Sequence, residues 1–183
     1  MTLEKLGYYS TLEEYRNEQE LDSFGVGRIV SEHRERYLVH NGEQVFKGEI
    51  IGNLRFTAKN RSDFPAVGDW VATIEYDDRN VLIHAVFPRK GTLVRQAAGK
   101  EGEKQIIAAN IDYALIVQAV DKDFNINRIE RYLAICNDAG VAPIIVLNKI
   151  DLIDETKLEV LIDSVRKRIN TITIIAISNE TKS

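Results

Sequence analysis

The stretch that decides the fold is IIVLNKID, residues 144–151. Its first four residues form a short apolar run, which is typical of a buried strand in a parallel sheet. Three polar residues follow within the same stretch, Asn148, Lys149 and Asp151, and an amphipathic helix is predicted at 155–169. Ligands of open α/β sheets bind at the carboxyl ends of strands, so these side chains are expected at a ligand site.

The three polar residue types suit recognition of guanine. The Asp151 carboxylate can accept hydrogen bonds from the ring N1–H and from the exocyclic amine, and adenine offers no such pair of donors. The Asn148 amide can meet the O6/N7 edge or brace a neighbouring loop, and the Lys149 stem can lie over the base. The alternative is an ordinary helix entry with Asp151 or Asp154 as N-cap. The position after a buried strand favours the ligand site.

The same alternation continues on both sides of this stretch. One predicted helix begins with a cap formed by Asn127 and Glu130 and ends at Gly140. A β-α-β-α-β order with apolar strands predicts a parallel sheet covered by helices, and a sheet of three strands looks incomplete. The predicted elements are a strand at 113–120, a helix at 127–139, a strand at 144–147, a helix at 155–169 and a strand at 172–177.

The residues after the last strand, Ser178 and Asn179, are a second candidate contact, because backbone N–H groups at this place can meet the base O6. The alternative is a plain turn. A phosphate-binding motif G-x-x-x-x-G-K-[ST] is absent from the sequence, since Glu101 follows Gly99-Lys100 and Thr181 precedes Lys182-Ser183. A base-reading motif with no phosphate loop before it indicates either no GTPase or a circularly permuted one.

Residues 24–87 are predicted to be β-structure. Asn41-Gly42 marks a hairpin turn, and the glycines at 25 and 27 suggest a bulge or a close backbone approach. Five short strands in about 65 residues suit a small closed barrel of the OB type with Trp70 at least partly buried, and an SH3-like barrel would give nearly the same pattern. The predicted strands are 24–30, 37–40, 44–50, 70–74 and 81–86.

A short helix is predicted before the barrel at 11–21, with Thr11 and Glu14 as a capping box. After the barrel, a segment with several glycines and basic residues is predicted to be a connector. The predicted organisation is an N-terminal arm at 1–22, an OB-type barrel at 23–90, a connector at 91–110 and a partial α/β domain at 111–183.

Composition limits the functional classes. The 183 residues carry a net charge of −4, and residues 1–22 account for all of it with six acids and two bases. The single cysteine, Cys136, excludes an intrachain disulfide and a multi-cysteine zinc site. No apolar stretch approaches the roughly 20 residues that span a bilayer and no signal peptide is evident, so a cytoplasmic protein without membrane contact is expected.

Basic residues on the neutral barrel are candidates for RNA contact, with Phe56 as a stacking residue. Acids at Glu32, Glu35 and Asp63 are interleaved with them, so an ordinary solvated barrel face is the alternative. The candidate RNA-binding residues are Arg34, Arg36, Arg55, Lys59 and Arg61.

Four stretches resemble the ribosome small-subunit-dependent GTPase A family of circularly permuted bacterial GTPases. They are FPAVGDWV at 64–71, QIIAANID at 105–112, DFN with RIERYL across 123–133, and NKIDL at 148–152. The resemblance implies an N-terminal OB barrel that contacts ribosomal RNA, and a GTPase domain in which the base motif precedes the phosphate loop. It also implies a C-terminal zinc element and a role in late maturation of the small ribosomal subunit.

Carried onto this chain, the resemblance assigns Asn148, Lys149 and Asp151 to the guanine motif and Ser178 to the start of the next one. Asn179 stands where the family usually has alanine. The phosphate loop, the switch segments, the Mg²⁺ site and the Zn²⁺ ligands would lie beyond residue 183. No catalytic residue is therefore expected within this chain, which should bind GTP or GDP weakly, be inactive alone and be monomeric. The alternative is a non-catalytic RNA-binding OB module.

Overall fold

Short strands with alternating burial close into a barrel in the first part of the chain. The computed structural model describes residues 2–96 and 104–181, which fall into two units that divide between Ile111 and Asp112. Residues 97–103 and 182–183, which include the Gly99-Lys100 and Lys182-Ser183 pairs, lie outside the described part. The barrel strands are β1 Gly25–His33, β2 Arg36–His40, β3 Val45–Ile50, β4 Trp70–Asp77 and β5 Asn80–Val86.

The strand order of the closed barrel is β1-β2-β3-β5-β4, with β4 paired back to β1. The β3–β5 pair is parallel and the other pairs are antiparallel. A short helix, α2 Gly52–Thr57, connects β3 to β4. This order and this helix are those of an OB-fold, which strand spacing alone could not separate from an SH3-like barrel. The barrel is filled by Ile29, Tyr37, Val39, Phe46, Val71, Val81 and Ile83.

The N-terminal arm packs against the barrel and closes a second core. Its helix, α1 Ser10–Glu18, begins after Tyr9, whose side chain makes no capping bond, so the predicted Thr11–Glu14 capping box is wrong. Leu12 is buried, and the Tyr8 ring packs edge-on to the fully buried Trp70 at a centroid distance of 4.9 Å. The predicted burial of Trp70 is confirmed.

The loop before β4 is fastened by a buried ion pair. The Asp69 carboxylate is fully buried and accepts hydrogen bonds from Arg89 Nε at 2.8 Å and Nη2 at 2.6 Å. It also accepts the backbone N–H of Ala66 at 2.8 Å, while Arg89 donates to the carbonyls of Ser62 and Phe64. The Arg89 guanidinium therefore connects the start of the loop, at Ser62 and Phe64, to its end at Asp69. It can do so because it carries five N–H donors in a fixed planar arrangement.

The segment predicted as a connector contains a two-stranded antiparallel sheet, β6 Thr92–Gln96 and β7 Lys104–Ala109. Its end is bonded to the loop before β4, since the Ala109 N–H donates to the Val67 carbonyl at 2.8 Å. Gly68 lies between them at φ 92°, and a Cβ there would overlap the Ala109 carbonyl oxygen. Glycine is required at this position both by its backbone angle and by the close approach.

The second unit is a three-stranded parallel sheet in the order β10-β9-β8. Its burial is one-sided: Ile116, Ile145 and Leu147 are buried, whereas Leu115 and Val117 are 63% and 59% exposed. The helices therefore cover one face only. The elements are β8 Tyr113–Ala119, α3 Ile126–Ala139, β9 Ala142–Asn148, α4 Glu155–Arg168 and β10 Thr173–Ile177.

The helix ends of the second unit agree only partly with the prediction. Asn125 caps α3 by accepting the backbone N–H of Arg128, so the predicted cap at Asn127 and Glu130 is wrong. Gly140 ends α3 in the left-handed conformation at φ 66°, as predicted. Asp154 caps α4, which leaves Asp151 outside the helix and available to a ligand.

Candidate functional site

The predicted guanine motif lies at the carboxyl end of β9. Asn148 is the last residue of the strand, and Lys149 adopts the left-handed conformation at φ 64° and ψ 38°. The Asn148 side-chain oxygen accepts the Lys149 backbone N–H at 2.8 Å. Asn148 therefore braces the turn of the motif itself, and the residues after it form a single 3₁₀ turn, Ile150–Leu152, which contains Asp151.

Two of the predicted site residues meet across neighbouring strands. Ser178 follows β10 and is buried, and its hydroxyl donates to Asp151 Oδ1 at 2.5 Å. The Ser178 oxygen also accepts the backbone N–H groups of Glu180 and Thr181 at 3.2 Å. Asp151 is exposed, and among the described residues only Oδ1 of its carboxylate has a hydrogen-bond partner, so Oδ2 can still accept a bond from a ligand. Asn179 is exposed beside Ser178.

Sequence reasoning missed one residue that contacts the motif, Asp121. Its Oδ2 lies 3.2 Å from the Lys149 ammonium, and its Oδ1 accepts the backbone N–H of Asp123 at 3.0 Å. The Asp123 hydrogen bond, with a smaller contribution from Lys149, holds the pKa of Asp121 below its usual value. A signal was present: Asp121 follows the apolar run of β8 just as Asn148 ends that of β9.

The loop that carries Asp121 is anchored by Gln118 at the end of β8. This side chain is 5% exposed, and its Nε2 donates to the Asp123 carbonyl at 3.1 Å. Its Oε1 is buried without a hydrogen-bond partner among the described residues. The anchor therefore fixes the loop at the cost of one unsatisfied acceptor.

The candidate RNA-binding residues lie on one end of the barrel but share it with acids. Arg34 lies in the β1–β2 turn at φ 51°, and Arg36 begins β2. Arg55 is ion-paired with Glu35 at 2.7 Å. Lys59 and Arg61, together with Glu32 and Glu35, line a cavity of about 730 Å³. Phe56 projects into solvent with 91% of its surface exposed.

The described residues contain neither a cluster of side chains suited to a metal ion nor a helix that could span a membrane. No group of three or more His, Cys, Asp or Glu side chains there could hold a metal ion, so no step through magnesium or zinc is assigned to them. Across residues 2–96 and 104–181, no helix is long and apolar enough to cross a membrane.

A closed barrel followed by a three-stranded parallel sheet is an architecture that two solved structures share. The solved structure described as YloQ, a circularly permuted GTPase, superposes with a TM-score of 0.59, covering 86% of this chain and 52% of that one. YjeQ from Thermotoga maritima gives a TM-score of 0.61 over 85% and 52%. Both are 22% identical, so they establish the fold alone.

This chain belongs to the RsgA GTPase family, whose model matches residues 86–183. Small ribosomal subunit biogenesis GTPase RsgA 2 of Lactiplantibacillus plantarum is 39% identical over 75% of this chain and 40% of the relative. RsgA 1 of Listeria innocua is also 39% identical, over 85% of this chain and 42% of the relative. The chain thus spans about two fifths of the length of these curated relatives.

Proposed function

We propose that the second unit is the guanine-reading part of a GTPase that acts in biogenesis of the small ribosomal subunit, and that the barrel binds ribosomal RNA. The observation that carries the guanine assignment is the meeting of Asp151 with Ser178 beside Asn148 and Lys149, at the ends of neighbouring parallel strands. The names of the relatives support the role in biogenesis of the small subunit.

Base recognition follows from the chemistry of these groups. The Asp151 carboxylate would accept the N1–H and exocyclic amine of guanine, and the Ser178 hydroxyl holds the carboxylate in orientation. The backbone N–H groups at Ser178 and Asn179 would approach the base O6. The Lys149 stem would cover one side of the ring, since a long side chain can bury its methylenes and keep its ammonium in water.

Turnover of GTP would need groups that residues 1–183 do not supply. Phosphoryl transfer relies on positioning and on charge stabilisation at the β- and γ-phosphates. No phosphate-loop motif occurs in the sequence. We therefore place the phosphate loop, Mg²⁺ and Zn²⁺ in further segments of a longer, circularly permuted protein, organised as arm 1–22, barrel 23–90, connector 91–110 and GTPase domain from 111.

The guanine assignment is tested with GMP and AMP, titrated into isotope-labelled chain 1–183 and followed by NMR. We expect weak binding that favours GMP, and Asp151→Asn should reduce this preference about 10- to 100-fold or abolish it, because the charged pair of hydrogen bonds is lost. Asp163→Asn, which neutralises an exposed acid of α4, is the matched control. Equal binding of GMP and AMP by the unmodified chain, or GTP turnover above a no-protein blank, would contradict the proposal.

The RNA assignment is tested by pelleting with small ribosomal subunits. Neutralising the five candidate bases should weaken binding, and each lost phosphate contact should reduce the slope of log affinity against log salt by about 0.7–0.9. Arg34 and Arg36 should contribute more than Arg55, which is already paired with Glu35. Neutralising Arg166 and Lys167 on α4 is the control. Unchanged pelleting by the five-residue variant, Arg34, Arg36, Arg55, Lys59 and Arg61 together, would exclude this surface.

A non-catalytic RNA-binding OB module is the second candidate function. It is favoured by the barrel itself, because OB-folds are common oligonucleotide-binding folds, and by the exposed Phe56 ring. This module should bind the small subunit equally well with and without guanine nucleotide, and it should not prefer GMP over AMP. The GTPase assignment predicts that the chain prefers GMP. We also propose that the protein is cytoplasmic and monomeric. Sedimentation of the purified chain tests whether it is a monomer.

A further inference from the structure

We propose that Asp121 is a positioning residue of the guanine site, which holds the Lys149 ammonium across the end of β8 so that the lysine stem forms one wall of the base pocket. The inference rests on the proposed function above, because it concerns the same site. It assigns a task to a residue outside the Asn-Lys-x-Asp motif.

The geometry begins with two strand ends tied side by side. Residues 119 and 148 are register partners of β8 and β9, and the Val120 N–H donates to the Asn148 carbonyl at 3.0 Å. Lys149 follows β9, yet its ammonium lies 3.2 Å from Asp121 Oδ2, which follows β8. The lysine stem therefore runs from the end of one strand to the end of its neighbour. Without Asp121, a four-carbon stem at an exposed turn would sample many rotamers.

The Asp121 carboxylate is itself held before any ligand arrives. Its Oδ1 accepts the Asp123 N–H at 3.0 Å, and the Asp123 carbonyl accepts Nε2 of Gln118 at 3.1 Å. Gln118 is 95% buried at the end of a paired strand, so it is a rigid anchor. A chain of contacts thus leads from the sheet to the loop, from the loop to the carboxylate and from the carboxylate to the lysine. The same Asp123 hydrogen bond is the main reason that the pKa of Asp121 lies below its ordinary value.

The competing explanation is a surface ion pair with no task, and the two explanations predict opposite signs. If Asp121 acted only as a nearby negative charge, its neutralisation would tighten the binding of a phosphate-bearing nucleotide by removing repulsion. If it positions Lys149, neutralisation weakens binding although a repulsive charge has been removed. The sign of the change therefore separates positioning from general electrostatics.

The experiment measures the dissociation constant of GMP for chain 1–183 by NMR titration, with Asp121→Asn, Lys149→Met and their combination. We expect Asp121→Asn to weaken GMP binding about two- to fivefold, the range of an exposed ion pair, at low salt and to lose this effect in 1 M salt. In the Lys149→Met background the same substitution should give no weakening, because no ammonium remains to be held. Thermal unfolding should be unchanged for all three variants, since both side chains are partly exposed.

Asp163→Asn is the matched control. Its carboxylate is exposed on α4 and takes no part in the chain of contacts that holds Lys149, so neutralisation should leave GMP binding unchanged. Tighter or equal GMP binding by Asp121→Asn, or equal weakening in the Lys149→Met background, would overturn the inference while leaving the guanine site standing. If the unmodified chain showed no preference for GMP over AMP, the guanine site and the inference would both be refuted.

Discussion

Replacing Arg89 by methionine should strongly destabilise the first unit. The Asp69 carboxylate is fully buried, and two of its three hydrogen bonds come from Arg89. Arg89 also donates to two carbonyls of the same loop, those of Ser62 and Phe64. Methionine retains much of the side-chain length but none of these donors, so the carboxylate would be left buried with a single partner, the Ala66 N–H.

The expected cost follows from this uncompensated charge. Removing one partner of a buried ion pair costs about 3–5 kcal/mol, whereas an exposed pair is worth about 0–1 kcal/mol. Arg55 provides the matched control in the same unit, because it pairs with Glu35 while 58% of the arginine side chain and 43% of the glutamate side chain remain exposed. Arg55→Met should therefore cost less than about 1 kcal/mol.

The assay is urea unfolding followed by tryptophan fluorescence. Trp70 is the only tryptophan of the sequence and is 1% exposed in the barrel unit, so the signal reports on that unit. The double variant Asp69→Asn with Arg89→Met should recover part of the loss, because no buried charge then lacks a partner. If Arg89→Met lowered the free energy of unfolding no more than Arg55→Met does, the Asp69–Arg89 ion pair would not be what stabilises the loop.

Three further outcomes are expected. Gly68→Ala should cost at least about 2 kcal/mol in urea unfolding, because a Cβ at φ 92° would overlap a backbone carbonyl of β7, while Gly52→Ala, with open space around it, should be neutral or stabilising. Leu115→Lys should leave thermal unfolding nearly unchanged and lower the binding of a hydrophobic dye, because the leucine is 63% exposed, whereas Ile116→Lys, on the buried face, should unfold the second unit. Burial, reinforced by nearby acids, raises the pKa of Tyr37 to about 12 from an ordinary 10, so the unfolded chain loses this proton first. Barrel stability should fall by roughly 2 kcal/mol as the pH rises from 10 to 12, and Tyr37→Phe should remove that part of the fall.

The barrel and the parallel sheet could be predicted because their signals are local. The five predicted barrel strands are all present, and the apolar run 144–147 lies within the strand β9, where Ile145, Val146 and Leu147 are buried. The predicted hairpin at Asn41-Gly42 is confirmed, with Gly42 at φ 98°. At position 27, where a bulge or a close backbone approach was predicted, the tight contact is with a side chain, since a Cβ on Gly27 would overlap Val39 Cγ1.

Features that depend on distant contacts were missed. Strand β1 continues to His33, three residues beyond the prediction, and turns through Arg34 and Glu35, both with positive φ. Two-residue hairpin turns with positive φ usually contain Asn-Gly or Asp-Gly. Arg34-Glu35 is neither, so this turn could not be recognised from the local sequence. The β6–β7 pair was also missed. Its last residue, Ala109, donates a hydrogen bond to the Val67 carbonyl, and this contact between residues far apart in the sequence has no local signal. The Asp121–Lys149 contact joins residues 28 positions apart, so the position of Asp121 after the apolar run of β8 marked the residue without revealing its partner.

Two of the four stretches that resemble the family, 64–71 and 148–152, have different physical explanations. In residues 64–71, Gly68, Asp69 and Trp70 are all buried, and each is required by a backbone angle, an ion pair or a packed core. Similarity there is explained by the fold and says little about activity. In contrast, Lys149 is 54% exposed along its side chain and adopts a left-handed conformation that costs roughly 1 kcal/mol for a residue other than glycine. Packing gives no reason for lysine at that place, and this supports the proposal that Lys149 belongs to a guanine site at the strand end.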